Sequence, residues 1–254
     1  MTLYTTIHLH NVPAGREAEY AQWFDGPHRV ALGRLRGFID TDRYEVTPQQ
    51  IMPDILQPWR YISVYDFDLP DPEIDIPALG PLIAEARDAG IVRADDAERI
   101  YTYRLYSGWK GSPNWQNQQP FSGISLILAN YVAGHEAEYQ KWYDEVHGPE
   151  VTNVPGHVAM KRGELSPIQI APRRHCPGDQ LVLCAQQTDD LMFTIKDFSM
   201  RARGVSPSGI AMEPRSNTGS FARTVHYFSK VSGNRFWPGG IAYAGDISVY
   251  PDKA

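Results

Sequence analysis

The 254-residue chain carries 24 Lys and Arg against 30 Asp and Glu, a formal net charge of −6, with 42% hydrophobic residues: an ordinary globular balance, long enough for two domains. A mildly acidic chain with no basic stripe excludes nucleic acid as the expected partner, and no run reaches the ~18 apolar residues of a membrane span. Two cysteines, Cys176 and Cys184, and an N-terminal MTLYTTIHLH with neither a basic nor an apolar leader region fit a reduced, cytoplasmic setting.

Leu3–His10 alternates as a strand, with Ile7 and Leu9 on one face and His8 and His10 on the other. Asn11–Gly15 turns the chain into a helix over Glu17–Asp25, whose aromatic stripe is Tyr20, Trp23 and Phe24 and which Gly26-Pro27 is expected to stop. Strands follow at Gly37–Tyr44 and Arg60–Asp66, a helix at Ala78–Ala89 and a fourth strand at Arg99–Tyr106. The series then recurs: Ser125–Asn130, a helix carrying Tyr139, Trp142 and Tyr143 that runs to Val146 before Gly148-Pro149, then Gly156–Arg162, Gln180–Gln186, a helix over Asp190–Arg203 and Phe221–Phe228.

The two series hold one register without a gap. A constant 119 positions separate Asn11 from Asn130, Gly15 from Gly134, Trp23 from Trp142, Asp25 from Asp144, His28 from His147, Gly37 from Gly156 and Arg43 from Arg162. This marks duplication of a unit of about 120 residues. The expected domains are residues 1–110 and 122–233, joined by a Gly, Pro, Asn and Gln-rich linker at 111–121 and followed by an arm at 234–254. The order β-α-β-β-α-β, read twice, predicts an α+β fold of two tandem ferredoxin-like (βαββαβ) units, each with strand order 4-1-3-2 and one bare sheet face. Packing the two sheets face to face covers both bare faces within one chain, which fits a monomer or a homodimer.

The segment Tyr139-x-x-Trp142-Tyr143-x-x-x-His147-x-Pro149 resembles the helix signature of EthD-like proteins in the dimeric α+β barrel superfamily. The first copy departs from it, with Gly26-Pro27 before His28 and Val30 in place of the proline. The resemblance implies chemistry on aromatic or polyketide-like molecules by cofactor-independent oxygenases, lyases, decarboxylases or isomerases, and in other members haem binding or no known chemistry.

His147, three residues after Asp144, reads as a general base that Asp144 orients and that Trp142 and Tyr143 flank; helix capping is the structural alternative. His28 has the same spacing from Asp25. On the first strand, His8 and His10 share a face with Tyr61, Ser63 and Tyr65 of the neighbouring strand, a polar surface where the second half has aliphatic residues; it is either a reaction site or an inert sheet interface. A His-x-His pair can also chelate a metal, with Asp40 or Asp42 the nearest further ligands, but two ligands make a weak pattern and no metal is assigned. Arg43 and Arg162 can bind a carboxylate or phenolate, or pair with Glu45 and Glu164. His175-Cys176-Pro177 has no metal-site spacing, and both thiols read as structural.

Neither a dinucleotide fingerprint, a P-loop nor a G-x-S-x-G elbow is present, which points away from hydride transfer, kinase chemistry and serine hydrolysis. The expected function is a lyase without organic cofactor acting on a phenolic or polyketide-like compound. Its alternatives are a cofactor-independent monooxygenase of a phenol or quinol and a non-catalytic small-molecule or haem-binding protein.

Overall fold

The computed structural model describes residues 2–51, 58–116, 119–172, 176–205, 210–213 and 219–230, the last stretch with side chains only for 226–229. The expected arm at 234–254 and His175 lie outside the described residues. The first half contributes β1 (Thr2–His10), β2 (Phe38–Val46), β3 (Tyr61–Leu69) and β4 (Arg99–Leu105). After a two-residue strand β5 (Lys110–Gly111), the second contributes β6 (Gly123–Tyr131), β7 (His157–Leu165), β8 (Gln180–Gln186) and β9 (Gly219–Lys230). Their order is β4-β1-β3-β2 and then β9-β6-β8-β7, the same 4-1-3-2 arrangement twice.

The two sheets do more than face each other. Antiparallel seams β2–β9 and β4–β7 join them at both edges, so the strands form one closed ring. Closure pairs the backbone groups that two separate sheets would leave open at their edges. The ring is filled by inward-pointing residues of both halves, including Ile7, Leu9, Ile62, Val64, Tyr101 and Tyr103 against Ile124, Leu126, Leu128, Leu183 and Phe228. The opposite face carries the helices. In the first half these are α1 (Glu17–Trp23), α2 (Arg29–Leu32) and α3 (Pro72–Asp88), and in the second α4 (Glu136–Trp142), α5 (Gly148–Thr152) and α6 (Leu191–Ala202). Tyr20, Trp23, Phe24, Leu79 and Ile83 pack there on Tyr61, Tyr65 and Phe67.

The helices differ from expectation at their glycine-proline pairs. Gly26-Pro27 does not stop the first one: a π-helical turn over Phe24–His28 carries the chain into α2, with Gly26 bent to φ −105°, ψ −105°. The wider turn leaves the proline ring room, and glycine takes the kink. A second π turn, Tyr143–His147, links α4 to α5, where Pro149 occupies the tolerated first turn. Helix α3 starts at Pro72, earlier than Ala78, because Asp71-Pro72 is itself a helix start.

The duplication is visible down to backbone irregularities. Both second strands carry a bulge, between Phe38 and Asp40 and between His157 and Ala159. Each follows a left-handed glycine, Gly37 at φ 76° and Gly156 at φ 92°. A side chain there would be strained and would strike the Asp68 carbonyl or the Thr194 hydroxyl.

Candidate functional site

In the first half the predicted residues His8, His10, His28, Tyr61, Ser63 and Tyr65 do converge, but between the sheet and its helices and not toward the opposite sheet. Alternation puts Ile7 and Leu9 into the ring, which leaves the histidines facing α1 and α3. His8 Nε2 lies 2.8 Å from Glu98 Oε1, His8 stacks on His10 with ring centres 4.3 Å apart, and His10 Nε2 is 2.9 Å from the Tyr20 hydroxyl. That hydroxyl is 3.0 Å from Ser63 Oγ. His28 stacks on Trp23 at 4.0 Å, with Nε2 3.3 Å from the Tyr65 hydroxyl. Burial lowers the pKa of all three rings, that of His28 to about 3, so they are neutral. With Nε2 of His8 committed to Glu98 and Nε2 of His10 to Tyr20, the pair does not present a free chelate. Among the described residues no group of three or more His, Cys, Asp or Glu is placed to hold a metal.

The second half holds a cleft of about 520 Å³, within the usual range for small-molecule sites. Tyr143, Asp144, Gly148, Pro149 and Glu150 supply one wall, Met160 and Arg162 of β7 the floor, and Tyr106, Ser107, Lys110 and the start of the linker, Gly111 to Pro113, the other wall. The linker sits there because β5 pairs with β7, Lys110 opposite Met160. Arg162 is buried, its guanidinium carbon 4.2 Å from the Tyr143 ring centre, and it donates to Asp144 at 3.1 Å and to Gln140.

The expected Asp144–His147 pairing is replaced. Asp144 faces Arg162 and also accepts from Lys110 Nζ at 3.1 Å, because the π turn swings it toward the strand. His147 stacks flat on Trp142, ring centres 4.4 Å apart and 9° between planes, and its Nδ1 is 4.0 Å from Glu150 Oε2. Neither Arg43 nor Arg162 pairs with the glutamate two residues on. Arg43 donates to Asp25 at 2.8 Å, the counterpart of Arg162 with Asp144, while Glu45 binds Arg60 and Glu164 binds Arg104. Each strand arginine points outward to a helix, while Glu45 meets Arg60 just ahead of β3 and Glu164 meets Arg104 across the β4–β7 seam.

Glu150 was not singled out by the sequence. Its Oε1 accepts from the Glu213 backbone at 2.7 Å, its Oε2 has no hydrogen-bond partner, and burial raises its pKa. The only advance signal is its position, three residues after His147 and next to Pro149. The cleft thus brings a carboxyl with a raised pKa and a buried cation together with Tyr106 and Tyr143.

No protein-family model and no curated protein matches the sequence. Solved structures match its fold: a candidate monooxygenase from Lactobacillus acidophilus NCFM, 10% identical, TM-score 0.52, covers 91% of this chain and 94% of its own. A candidate monooxygenase from Fusobacterium nucleatum is 11% identical at TM-score 0.50, covering 91% and 93%, and an anthrone oxidase-like protein is 6% identical at 0.51, covering 91% and 92%. These are proteins of the dimeric α+β barrel type. The chain shares their fold. The likeness is to that barrel at large and does not show the EthD-like family in particular.

Inside the barrel, one ion pair crosses between the halves. Lys161 Nζ, 2% exposed, contacts both Asp66 oxygens at 2.6 and 2.7 Å and lies 4.6 Å from the Trp109 ring centre. It borders a cavity of about 60 Å³ with Asp42 and Tyr44. Cys184 is buried and its thiol is pushed up to about 12 by burial, while Cys176 lies beside the Tyr103 hydroxyl; both are free thiols. No helix among the described residues is long and apolar enough to cross a membrane.

Proposed function

We propose that this protein is a monooxygenase of a phenolic or enolisable aromatic molecule, and that the reaction runs in the second-half cleft. The observation that carries this reading is the convergence of the Glu150 carboxyl, the buried Arg162 guanidinium and Tyr143 on one cleft, with no hydrogen bond to Glu150 Oε2 among the described residues. The names of the fold neighbours, two candidate monooxygenases and an anthrone oxidase-like protein, support an oxygenase over the lyase expected from sequence, which no feature of the cleft favours.

Glu150 removes a proton from a methylene activated by a neighbouring phenol or carbonyl, with His147 close enough to share the proton load. Arg162, backed by Tyr143, holds the resulting phenolate or enolate oxygen. The electron-rich anion reduces dioxygen and takes up one of its atoms. Overall, CH2 and O2 become C=O and H2O, the second oxygen atom leaving as water with the two hydrogens. In this reading the chain is two ferredoxin-like units of which the second is the working copy, and the His8/His10/His28 layer is a scaffold.

The test is oxygen uptake with anthrones and quinols as probes, with 18O2 to follow the label into product. Uptake with label incorporation, lost in Glu150→Gln, is the expected result. Product formed without oxygen consumption restores the lyase reading, and binding of haemin with a Soret band but no turnover restores the binding-protein reading.

A further inference from the structure

The duplication supplies an internal control for every core position, and one pair stands out. Phe38 and Phe67 are register partners on β2 and β3, in edge-to-face contact at 5.8 Å under the helices of the first half. Shifted by one repeat, their counterparts are His157 and Gln186, register partners on β7 and β8. An apolar aromatic pair in one copy is thus a polar pair in the other. Both replacements are as deeply buried as a core phenylalanine, His157 at 1% exposure and Gln186 at 0%.

Among the described residues neither polar side chain has a hydrogen-bond partner. His157 Nδ1 and Nε2 and Gln186 Nε2 and Oε1, four buried atoms in all, lack a hydrogen bond of good geometry. Burial pulls the ring down to about 4, with a smaller opposing pull from the Val151 carbonyl, so His157 is neutral and offers one donor and one acceptor. Gln186 offers two donors and an acceptor. Around them the walls are apolar or fixed: Tyr227 lies nearly parallel to the His157 ring at 6.3 Å and Phe198 of α6 approaches at 5.8 Å. Beneath Gln186, a Cβ on Gly123 would stand 2.7 Å from Oε1, so the backbone is drawn in to make room for the amide. Leaving a buried polar group without a partner costs about 1–3 kcal/mol, and here two neighbouring groups are left so.

We infer that His157 and Gln186 form a buried binding site for one small neutral molecule or group that both donates and accepts hydrogen bonds. A hydroxyl-bearing organic compound and an ordered water share this chemistry. An anion is disfavoured because the ring is uncharged and no cation faces it from the pair itself. This site uses none of the residues assigned above to the oxygenase reaction and stands whether or not that assignment holds.

The experiment is a high-resolution crystal structure of the whole protein, with native mass spectrometry on the same preparation. Density between the two side chains, at hydrogen-bonding distance from both, is expected. A single peak that survives buffer exchange identifies solvent; extended density, with a mass released on denaturation, identifies an organic ligand. Direct bonding of His157 and Gln186 to each other or to backbone, with nothing between them, overturns the inference. As a second measurement, His157→Phe/Gln186→Phe recreates the Phe38/Phe67 pair and should abolish the density while leaving the thermal midpoint near that of the parent. A clear rise in midpoint would mean that the polar pair is an uncompensated cost with no occupant, and would overturn the inference too. If the double variant does not fold, the density of the parent protein alone decides.

Discussion

Arg162 donates to Asp144 at 3.1 Å while its guanidinium carbon lies 4.2 Å from the Tyr143 ring centre, so one buried cation is held from two sides at the floor of the cleft. The same helix-to-strand pair recurs in the first half as Arg43 with Asp25. There Tyr20 and Phe24 flank the guanidinium carbon at 5.7 and 5.8 Å, as their repeat counterparts Tyr139 and Tyr143 flank that of Arg162 at 5.9 and 4.2 Å. Position in the repeat and burial are shared; what sets Arg162 apart is that it lines the cleft.

Arg162→Lys keeps the charge but loses the planar fork and the stacking on Tyr143. It is expected to lower kcat/KM by about 10²-fold in the oxygen-uptake assay, the size of effect seen when one donor to a developing oxyanion is lost. Arg43→Lys should leave kcat/KM within a few-fold. Equal losses at both positions would mean that the pair serves folding alone.

Glu150 must be ionised to act as a base. Because burial raises its pKa above the ordinary 4.5, kcat/KM should fall as pH drops through that raised value, at higher pH than for a solvated glutamate. Glu150→Gln should remove this limb and about 10²–10⁴-fold of the rate. Its sign for stability is opposite: a raised carboxyl pKa favours the fold below the unfolded value, and that contribution is lost as pH rises through the folded one. An acid limb that survives in Glu150→Gln would transfer the role to His147.

Acid should destabilise the fold through its buried histidines, three of which lie in the first half. His8, His10 and His28 are neutral in the fold because burial depresses them below 6.5, so the unfolded state takes up protons first as pH falls. Their contribution is complete above 6.5 and is lost on going down toward the folded values, that of His28 near 3. A fully depressed histidine loses about 2 kcal/mol of stability by pH 5. The thermal midpoint should therefore fall between pH 7 and pH 5, and His28→Phe should flatten that slope. A His8→Ala/His10→Ala variant should lower the midpoint at pH 7 and leave turnover within a few-fold. Loss of turnover at an unchanged midpoint would return the reaction to the first half.

Lys161 and Asp66 tie the two halves together inside the ring. Removing only the lysine head group, as in Lys161→Met, leaves a carboxylate facing an apolar interior and should cost about 3 kcal/mol in denaturant unfolding. Lys161→Met/Asp66→Leu should recover most of it. If the single variant is neutral, Asp66 is solvated well enough at 23% exposure to need no partner.

Much of this architecture was legible before any coordinates. The repeat reads through Gly37/Gly156 and Arg43/Arg162 because those positions need a left-handed glycine or a charge aimed at the helix in both copies. Period-two alternation put His8 with His10 and Ile7 with Leu9 on the correct common faces. It could not say which face met the helices, because both faces of a closed barrel are buried and the hydrophobicity contrast that orients an open sheet is absent. The cleft was less legible still. Its far wall, Tyr106 to Pro113, is a stretch with no motif, brought to Arg162 only by the pairing of β5 with β7. Asp144 was assigned to the wrong partner because helical spacing from His147 assumes an α-turn, and the turn is π.

The two seams that close the ring within one chain have a genetic consequence. When two identical subunits make such a barrel, every substitution appears twice, and a change that helps one site must be tolerated at its symmetry mate. Here Ala129 stands where the first copy has His10, and the His157/Gln186 pair where it has Phe38/Phe67. Each of these three substitutions occurs once and acts in one half alone. Fusion frees one copy to become packing and the other to become pocket.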